Sequence, residues 1–344
     1  MTTLVTGAAG FIGCHVAQAL LARGEAVIGI DNVNDYYDPS LKRARIAALA
    51  PDMRFVEVDF ADADALTRAL DGIAFDRIVH LGAQAGVRYS IENPRAYVQS
   101  NLVGHLNMLE VARARRIKHM VYASSSSVYG GNDVLPFSVD DRVDHPVSLY
   151  AATKKADELM SESYASLYNI PLTGMRFFTV YGPWGRPDMA AWLFADAILS
   201  GRPIKVFNNG ELQRDFTFID DIVAGVVASL DRPPADNGEL KAGGSRTVHA
   251  VYNLGNHRPE QLSHFIDLIE QACGKKAVRD LQPMQPGDVR ATYADIARIS
   301  YRADRDTALD MRDQAMDFVE SGKMSGAIAQ IFVPRIQVSY AFQD

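Results

Sequence analysis

Thr3-Leu4-Val5-Thr6-Gly7-Ala8-Ala9-Gly10-Phe11-Ile12-Gly13 stands at the start of the chain. A short β-branched run leads straight into three glycines spaced three apart. A helical pattern then carries Val16, Leu20 and Leu21 to Gly24, and Ala26-Val27-Ile28-Gly29-Ile30 forms a second strand-like run that ends at Asp31. This is the pattern of a βαβ unit with a glycine fingerprint in its first turn. Gly7 permits the tight turn. Gly10 lets the backbone approach a pyrophosphate, which the helix N-terminus attracts. Gly13 allows close packing of helix on strand. Asp31 closes the unit where a carboxylate binds adenosine ribose hydroxyls, which favours NAD over NADP. The competing reading is a glycine-rich turn without a ligand. The strand before it, the helix after it and the acid at that distance argue against it.

Working outward, strand and helix patterns keep alternating. Residues 32–50 are polar and tyrosine-containing (Asn34-Asp35-Tyr36-Tyr37), a loop followed by a short basic helix. Phe55-Val56-Glu57-Val58-Asp59 and Arg77-Ile78-Val79-His80-Leu81 are further strands, separated by a helix over residues 63–70. Asp59 falls at a strand's carboxyl end, where adenine could sit, or else caps the next helix. Residues 92–115 read as one long helix with Asn101 inside it. Met120-Val121-Tyr122-Ala123 is a buried strand, and residues 149–168 form another helix. Such alternation implies a doubly wound parallel sheet, a Rossmann-type α/β fold with its site at the carboxyl ends of the strands.

The buried strand ends in Ser124-Ser125-Ser126-Ser127-Val128-Tyr129-Gly130, and Tyr150-Ala151-Ala152-Thr153-Lys154 follows some twenty residues later. A helix places Tyr150 and Lys154 on one face. A cation beside a phenol favours the phenolate and draws its pKa from about 10 towards neutral, by roughly 3 units or about 4 kcal/mol. A Ser hydroxyl can complete a proton relay to a substrate oxygen. Taken alone, Y-x-x-x-K is a frequent accident and a serine run is a loop; the dinucleotide pattern upstream gives both a context.

After Arg176-Phe177-Phe178 the alternation loosens. Tyr181-Gly182-Pro183-Trp184-Gly185-Arg186-Pro187 is a rigid loop, residues 191–200 a helix, and the strand after it ends in Phe207. Val251-Tyr252-Asn253-Leu254-Gly255 and the helix to Cys273 suggest a second, smaller α/β layer. The expected organisation is a dinucleotide-binding domain over residues 1–178, to which residues 204–230 return in part. A substrate lobe spans 179–298 and an atypical tail 299–344.

Composition narrows the function classes. A hydrophobic share of 48% and a charged share of 22% suit a soluble globular chain. The net charge of -7 argues against nucleic acid as the main partner. Cys14 and Cys273 form no C-x-x-C, so neither a disulfide framework nor a structural zinc is expected, and a reducing cytoplasm is the expected setting. No apolar run reaches the roughly 18 residues of a membrane helix, and the fold pattern starting at Thr2 leaves no room for a cleavable signal. The eight histidines lack metal-ligand spacing, so no metal is expected. No G-x-S-x-G, Walker loop or H-E-x-x-H is present.

Together G-A-A-G-F-I-G, the serine run before V-Y-G, and Y-A-A-T-K resemble the extended short-chain dehydrogenase/reductase (NAD-dependent epimerase/dehydratase) family. Within it, D-N-V-N-D-Y-Y, A-G-V-R-Y-S, Y-G-P-W-G-R-P-D-M and Q-P-G-D-V look like UDP-glucuronate 4-epimerases, a resemblance that covers residues 1–298. It implies NAD bound by Gly7, Gly10, Phe11, Ile12, Gly13, Asp31, Asn32, Asp59, Phe60, Leu81, Asn101, Tyr150 and Lys154. It implies Tyr150 as base, Lys154 as the group that lowers its pKa, and Ser125 as the third member of the triad. For a UDP-sugar it implies Thr179 near the sugar, Phe207 stacked on uracil, Arg214 facing the diphosphate and Asp288 the uridine ribose. Arg88 and Arg186 are further candidates for the anionic substrate.

The implied reaction is C4 epimerisation through a 4-keto sugar, with NAD regenerated. For a UDP-glucuronate substrate the intermediate is a β-keto acid that can lose CO2. Neutral donors at Ser126, Ser127 and Thr179 could hold the carboxylate out of the alignment this loss requires. Related dehydratases carry Asp-Glu where this chain has Ser126-Ser127, and related decarboxylases carry Glu at Ser127. Decarboxylation of UDP-glucuronate and 4-epimerisation of UDP-glucose are the alternatives, and an NAD-binding sensor is the non-enzymatic one. Relatives dimerise through the two long helices, so a homodimer is expected. Beyond residue 298 the family continues into a Leu-Gly-aromatic-x-Pro segment, and this chain does not. Residues 310–331 offer an amphipathic pattern interrupted by Gly322 and Gly326. Different C-terminal packing, a disordered tail and an altered reading frame all remain open.

Overall fold

A computed structural model describes residues 1–285 and 287–299. The tail expectations from Ser300 onward lie outside the described residues. The first half runs β1 (Thr2–Thr6), α1 (Phe11–Ala22), β2 (Ala26–Asp31), α2 (Pro39–Leu49), β3 (Arg54–Glu57), α3 (Ala63–Ala69) and β4 (Arg77–His80). Two single turns follow, α4 (Tyr89–Glu92) and α5 (Pro94–Tyr97), then a π-helical turn over Val98–Val103, α6 (Gly104–Arg115) and β5 (His119–Ser125). The second half contains α7 (Leu149–Tyr168), β6 (Leu172–Phe177), β7 (Thr179–Tyr181), α8 (Ala190–Leu199), β8 (Ile204–Phe207), β9 (Gln213–Phe218) and α9 (Ile219–Leu230). It ends with β10 (His249–Leu254), β11 (Pro259–Gln261), α10 (Leu262–Cys273), β12 (Arg279–Gln282) and β13 (Ala291–Thr292).

Seven parallel strands form the main sheet in the order β10-β6-β5-β4-β1-β2-β3. Both faces are covered. Leu4, Ile78 and Met120 point into a core with α3 and α6, while Val5, Val79 and Val121 point the other way, towards α1 and α9. That is why the strands read as continuous apolar runs rather than alternating ones. Strand order reverses between β1 and β4, which opens a crevice at their carboxyl ends.

Two expectations need correcting. β10 does not build a separate layer: it pairs in parallel with β6, Asn253 beside Arg176, as the edge strand of the main sheet. The local strand signal was right, but pairing across some eighty residues has no local signature. The long helix expected over 92–115 is present but starts at Pro94, running unbroken to Arg115 with a π-helical stretch over Val98–Val103. Asn93 adopts φ -131, ψ 70 ahead of Pro94, which disfavours a helical conformation in the residue before it. Beside the main sheet, β11, β9 and β13 pair together with β7 on β9, and β8 pairs with β12. α9 returns to pack on α1.

Candidate active site

The crevice between β1 and β4 is a cavity, and its floor is the glycine turn. Gly7 has φ +66, and a Cβ there would meet Gly82 N at 2.7 Å. A Cβ on Gly13 would sit 2.1 Å from the Gly7 carbonyl oxygen, so only glycine lets α1 start so close to β1. Gly10 N–H donates to Gly7 O at 2.9 Å, and no side chain caps α1. The first-turn amides of Phe11, Ile12 and Gly13 therefore face the cavity as an anion cradle. Asp31 is buried at the end of β2 and accepts from Ala9 N (3.2 Å) and Val33 N (2.8 Å). Burial raises its pKa, against the nearby Lys42, which lowers it. Asn32, Phe60 and Leu81 line the same wall. The cradle, the buried acid and the apolar wall fit a dinucleotide.

The opposite wall carries Ser125, Tyr150 and Lys154, so all three proposed triad members enter the cavity. Ser148 caps α7 by accepting from Ala151 N, which fixes the start of the helix at Leu149, one residue before Tyr150. Lys154 is buried; its Nζ donates to Ala123 O at 2.9 Å and to Asp157 Oδ2 at 3.1 Å. Ser125 Oγ accepts from Ser127 N at 3.1 Å and shapes the turn Ser126–Tyr129. Ser126 and Ser127 stand in that turn, half-buried and outside the cavity lining. Below the serines, Ser124 donates to Glu158, which Arg176 holds in a two-point ion pair. Burial pushes the Glu158 pKa up, but Arg176 and Lys155 outweigh it and draw it down to about 2.

Other predicted residues are placed differently. Asn101 lies behind the cavity in the π-helical turn. It exchanges hydrogen bonds with the Gln84 backbone (2.8 and 3.1 Å) and donates to Thr153 Oγ1 (3.0 Å), pinning the lining segment after β4 to α7. Asp59 accepts from Asn32 Nδ2 and Ala61 N, and the α3 cap is Asp62 instead. Thr179 starts β7, just past the lining residues Phe177 and Phe178.

Arg88, Phe207, Arg214 and Asp288 gather in a second cluster apart from this lining. Arg88 pairs with Asp288 at 3.1 Å and lies 4.2 Å from the centre of the Phe207 ring. Burial lowers the Arg214 pKa, Asp288 raises it and Arg88 lowers it again, so the three charges share one neighbourhood.

Sequence reasoning missed a bracket on α2. Arg45 is fully buried and donates to Trp184 O (2.8 Å), Tyr37 Oη (2.6 Å) and Gly185 O (3.1 Å). Tyr36 donates to Asp188 Oδ2 at 3.0 Å, and Asp188 also holds Arg186, which enters the cavity. Two adjacent tyrosines followed by a basic helix straight after Asp31 were the available signal.

A nucleotide cradle and a Tyr–Lys–Ser wall in one crevice of this sheet define a dinucleotide-dependent enzyme of the short-chain dehydrogenase/reductase type. The chain belongs to the NAD dependent epimerase/dehydratase family, whose family model matches residues 3–255. It is 49% identical over 302 residues to a probable UDP-glucuronate 4-epimerase of Rhizobium meliloti, covering 86% of this chain and 89% of that one. UDP-glucuronate 4-epimerase 1 of Arabidopsis thaliana is 48% identical, with 86% and 71% covered. The Bacillus cereus UDP-glucuronic acid 4-epimerase, solved with UDP-glucuronic acid and NAD, superposes with a TM-score of 0.81 at 31% identity, over 93% of this chain and 99% of that one.

Proposed function

We infer that this chain is an NAD-dependent UDP-sugar 4-epimerase that converts UDP-glucuronate to UDP-galacturonate through a 4-keto intermediate. The observation that carries this reading is that Ser125, Tyr150 and Lys154 face the same crevice as the glycine cradle. The relatives named above and the Bacillus cereus complex supply the substrate class.

In this mechanism Tyr150 takes the proton of the sugar 4-hydroxyl and later returns it to the new alcohol. Lys154 supplies the positive charge that stabilises the phenolate, and Ser125 hydrogen-bonds the reacting oxygen. Bound NAD accepts the C4 hydride and gives it back to the opposite face of the ketone. Gly7, Gly10 and the α1 amides hold the pyrophosphate, and Asp31 the adenosine ribose. Phe207 stacks on the uracil, with Arg88, Arg214 and Asp288 around the rest of the nucleotide. Ser126 and Ser127, in the turn beside the cavity lining, and Thr179 at the start of β7 offer the sugar carboxylate neutral donors, where elimination and decarboxylation would need an acid. Incubation with UDP-glucuronate, followed by NMR, is expected to give UDP-galacturonate. UDP-xylose as the sole product, or equal turnover of UDP-glucose, would overturn the substrate assignment.

The chain acts as a homodimer through α6 and α7, which leave Leu106, Leu159, Leu167 and Tyr168 exposed. Among the described residues no helix is long and apolar enough to cross a membrane. Cys14 and Cys273 are free thiols, which suits a cytoplasmic setting.

A further inference from the structure

Lys154 does not reach the cavity as an isolated ammonium. Asp157, one turn along α7, touches it at 3.1 Å, and the two side chains are only 3% and 1% exposed. The second carboxylate oxygen, Oδ1, is buried with no hydrogen-bond partner. A carboxylate that served only to fill the core would be expected to satisfy both oxygens. This one commits a single oxygen to the residue beside Tyr150.

We propose that Asp157 is a positioning residue for the reaction: it holds the Lys154 ammonium in place and offsets part of the positive charge that Lys154 presents to Tyr150. The proposal rests on Tyr150 being the base.

The surroundings leave Asp157 as the variable charge. On its own helix Glu158 is already matched by Arg176. Facing it from α6 is His105, and His80 on β4 faces Lys154; burial lowers both imidazoles, His80 to about 3, so both are neutral. From β5 Tyr122 is kept protonated by burial, and Ala123 contributes only its carbonyl. Arg186, which also enters the cavity, is paired with Asp188, so the two add no net charge beside Tyr150. Burial pushes Asp157 up to about 7, against the pull of Lys154. Near neutrality its proton therefore comes and goes. With the acid protonated, Lys154 acts on the phenol at full strength; with it ionised, the carboxylate cancels part of that effect.

The test reads Tyr150 directly. Full-length protein carrying ¹³Cζ-tyrosine is titrated by NMR with and without NAD, and the Tyr150 signal is assigned by its loss in Tyr150→Phe. Asp157→Asn should lower the midpoint by about one pH unit, the scale set by a charge roughly 10 Å along the helix at an effective dielectric near 20. Asp157→Glu should move the midpoint part of the way back, and the acid limb of the kcat profile should follow both variants. A midpoint unmoved by Asp157→Asn would overturn the proposal. If the Asn variant fails to fold, Asp157→Glu decides: a midpoint and acid limb identical to wild type would overturn it. Failure to turn over any UDP-sugar, with Tyr150 titrating as described, would sink the epimerase reading and leave this one standing.

Discussion

Arg45 ties the tyrosine loop before α2 to the distant loop at Trp184 and Gly185, and replacing it with Met should loosen both. The substitution keeps an apolar stem of similar length and removes every donor. Trp184 O then lies buried and Gly185 O half-buried without their partner, at about 1–3 kcal/mol each with the second at the low end. Two effects offset this. The guanidinium's own desolvation disappears. Trp184, held at φ +62, is also free to relax from a left-handed conformation that costs about 1–2 kcal/mol outside glycine. A net destabilisation of about 2–4 kcal/mol follows from those terms.

Urea unfolding measures it: the midpoint should fall with little change in slope. Arg45→Lys, which can restore one of the bonds, should recover part of the loss. The functional consequence is separate. Trp184 and Gly185 immediately precede Arg186, so a relaxed loop moves that guanidinium within the cavity. KM for the UDP-sugar should therefore rise more than kcat falls in both variants. An Arg45→Met protein with unchanged urea midpoint and unchanged KM would refute the bracket as described.

Three further outcomes are expected. Gly13→Ala should weaken NAD binding tenfold or more, about 1.4 kcal/mol, because its methyl group overlaps the Gly7 carbonyl; calorimetry giving an unchanged Kd would refute the cradle. Glu158, lowered from 4.5 to about 2 in the folded protein, contributes about 3 kcal/mol of stability that is complete above pH 4.5 and lost as pH falls through about 2; Glu158→Gln should flatten that acid decline, while Arg176, left unpaired, lowers stability at pH 7. Leu159→Glu should shift the protein from dimer to monomer in sedimentation, and a dimer unaffected by it would place the interface elsewhere.

The legible parts of this site are the ones with local signatures. The requirement for glycine at Gly13 is a steric one met within seven residues, by the Gly7 carbonyl, and Tyr150 and Lys154 are fixed by helical periodicity. Arg45 was not legible, because what matters about it is a partner supplied by folding, a carbonyl 139 residues away; the Lys154–Asp157 pair lies three apart on one helix, and only its burial comes from the fold. Asn101 shows the same limit from the other side. It was expected at the cofactor and instead secures Gln84 and Thr153, one step behind the wall it was expected to form.

Charge bookkeeping then separates the two ends of the sugar nucleotide. Arg186 enters the cavity already matched by Asp188, with Tyr36 donating to the same carboxylate, so that pair adds no net charge. The Phe207 cluster holds two guanidinium groups against the single carboxylate of Asp288 and keeps one positive charge in excess. In the proposed reading a diphosphate is drawn to the Phe207 end, while the sugar carboxylate goes to the end that offers hydroxyls and a neutralised arginine. An acid held by neutral donors is oriented without being strongly stabilised. The same arrangement admits a sugar with no carboxylate, which is why UDP-glucose is the competing substrate that most directly tests the assignment.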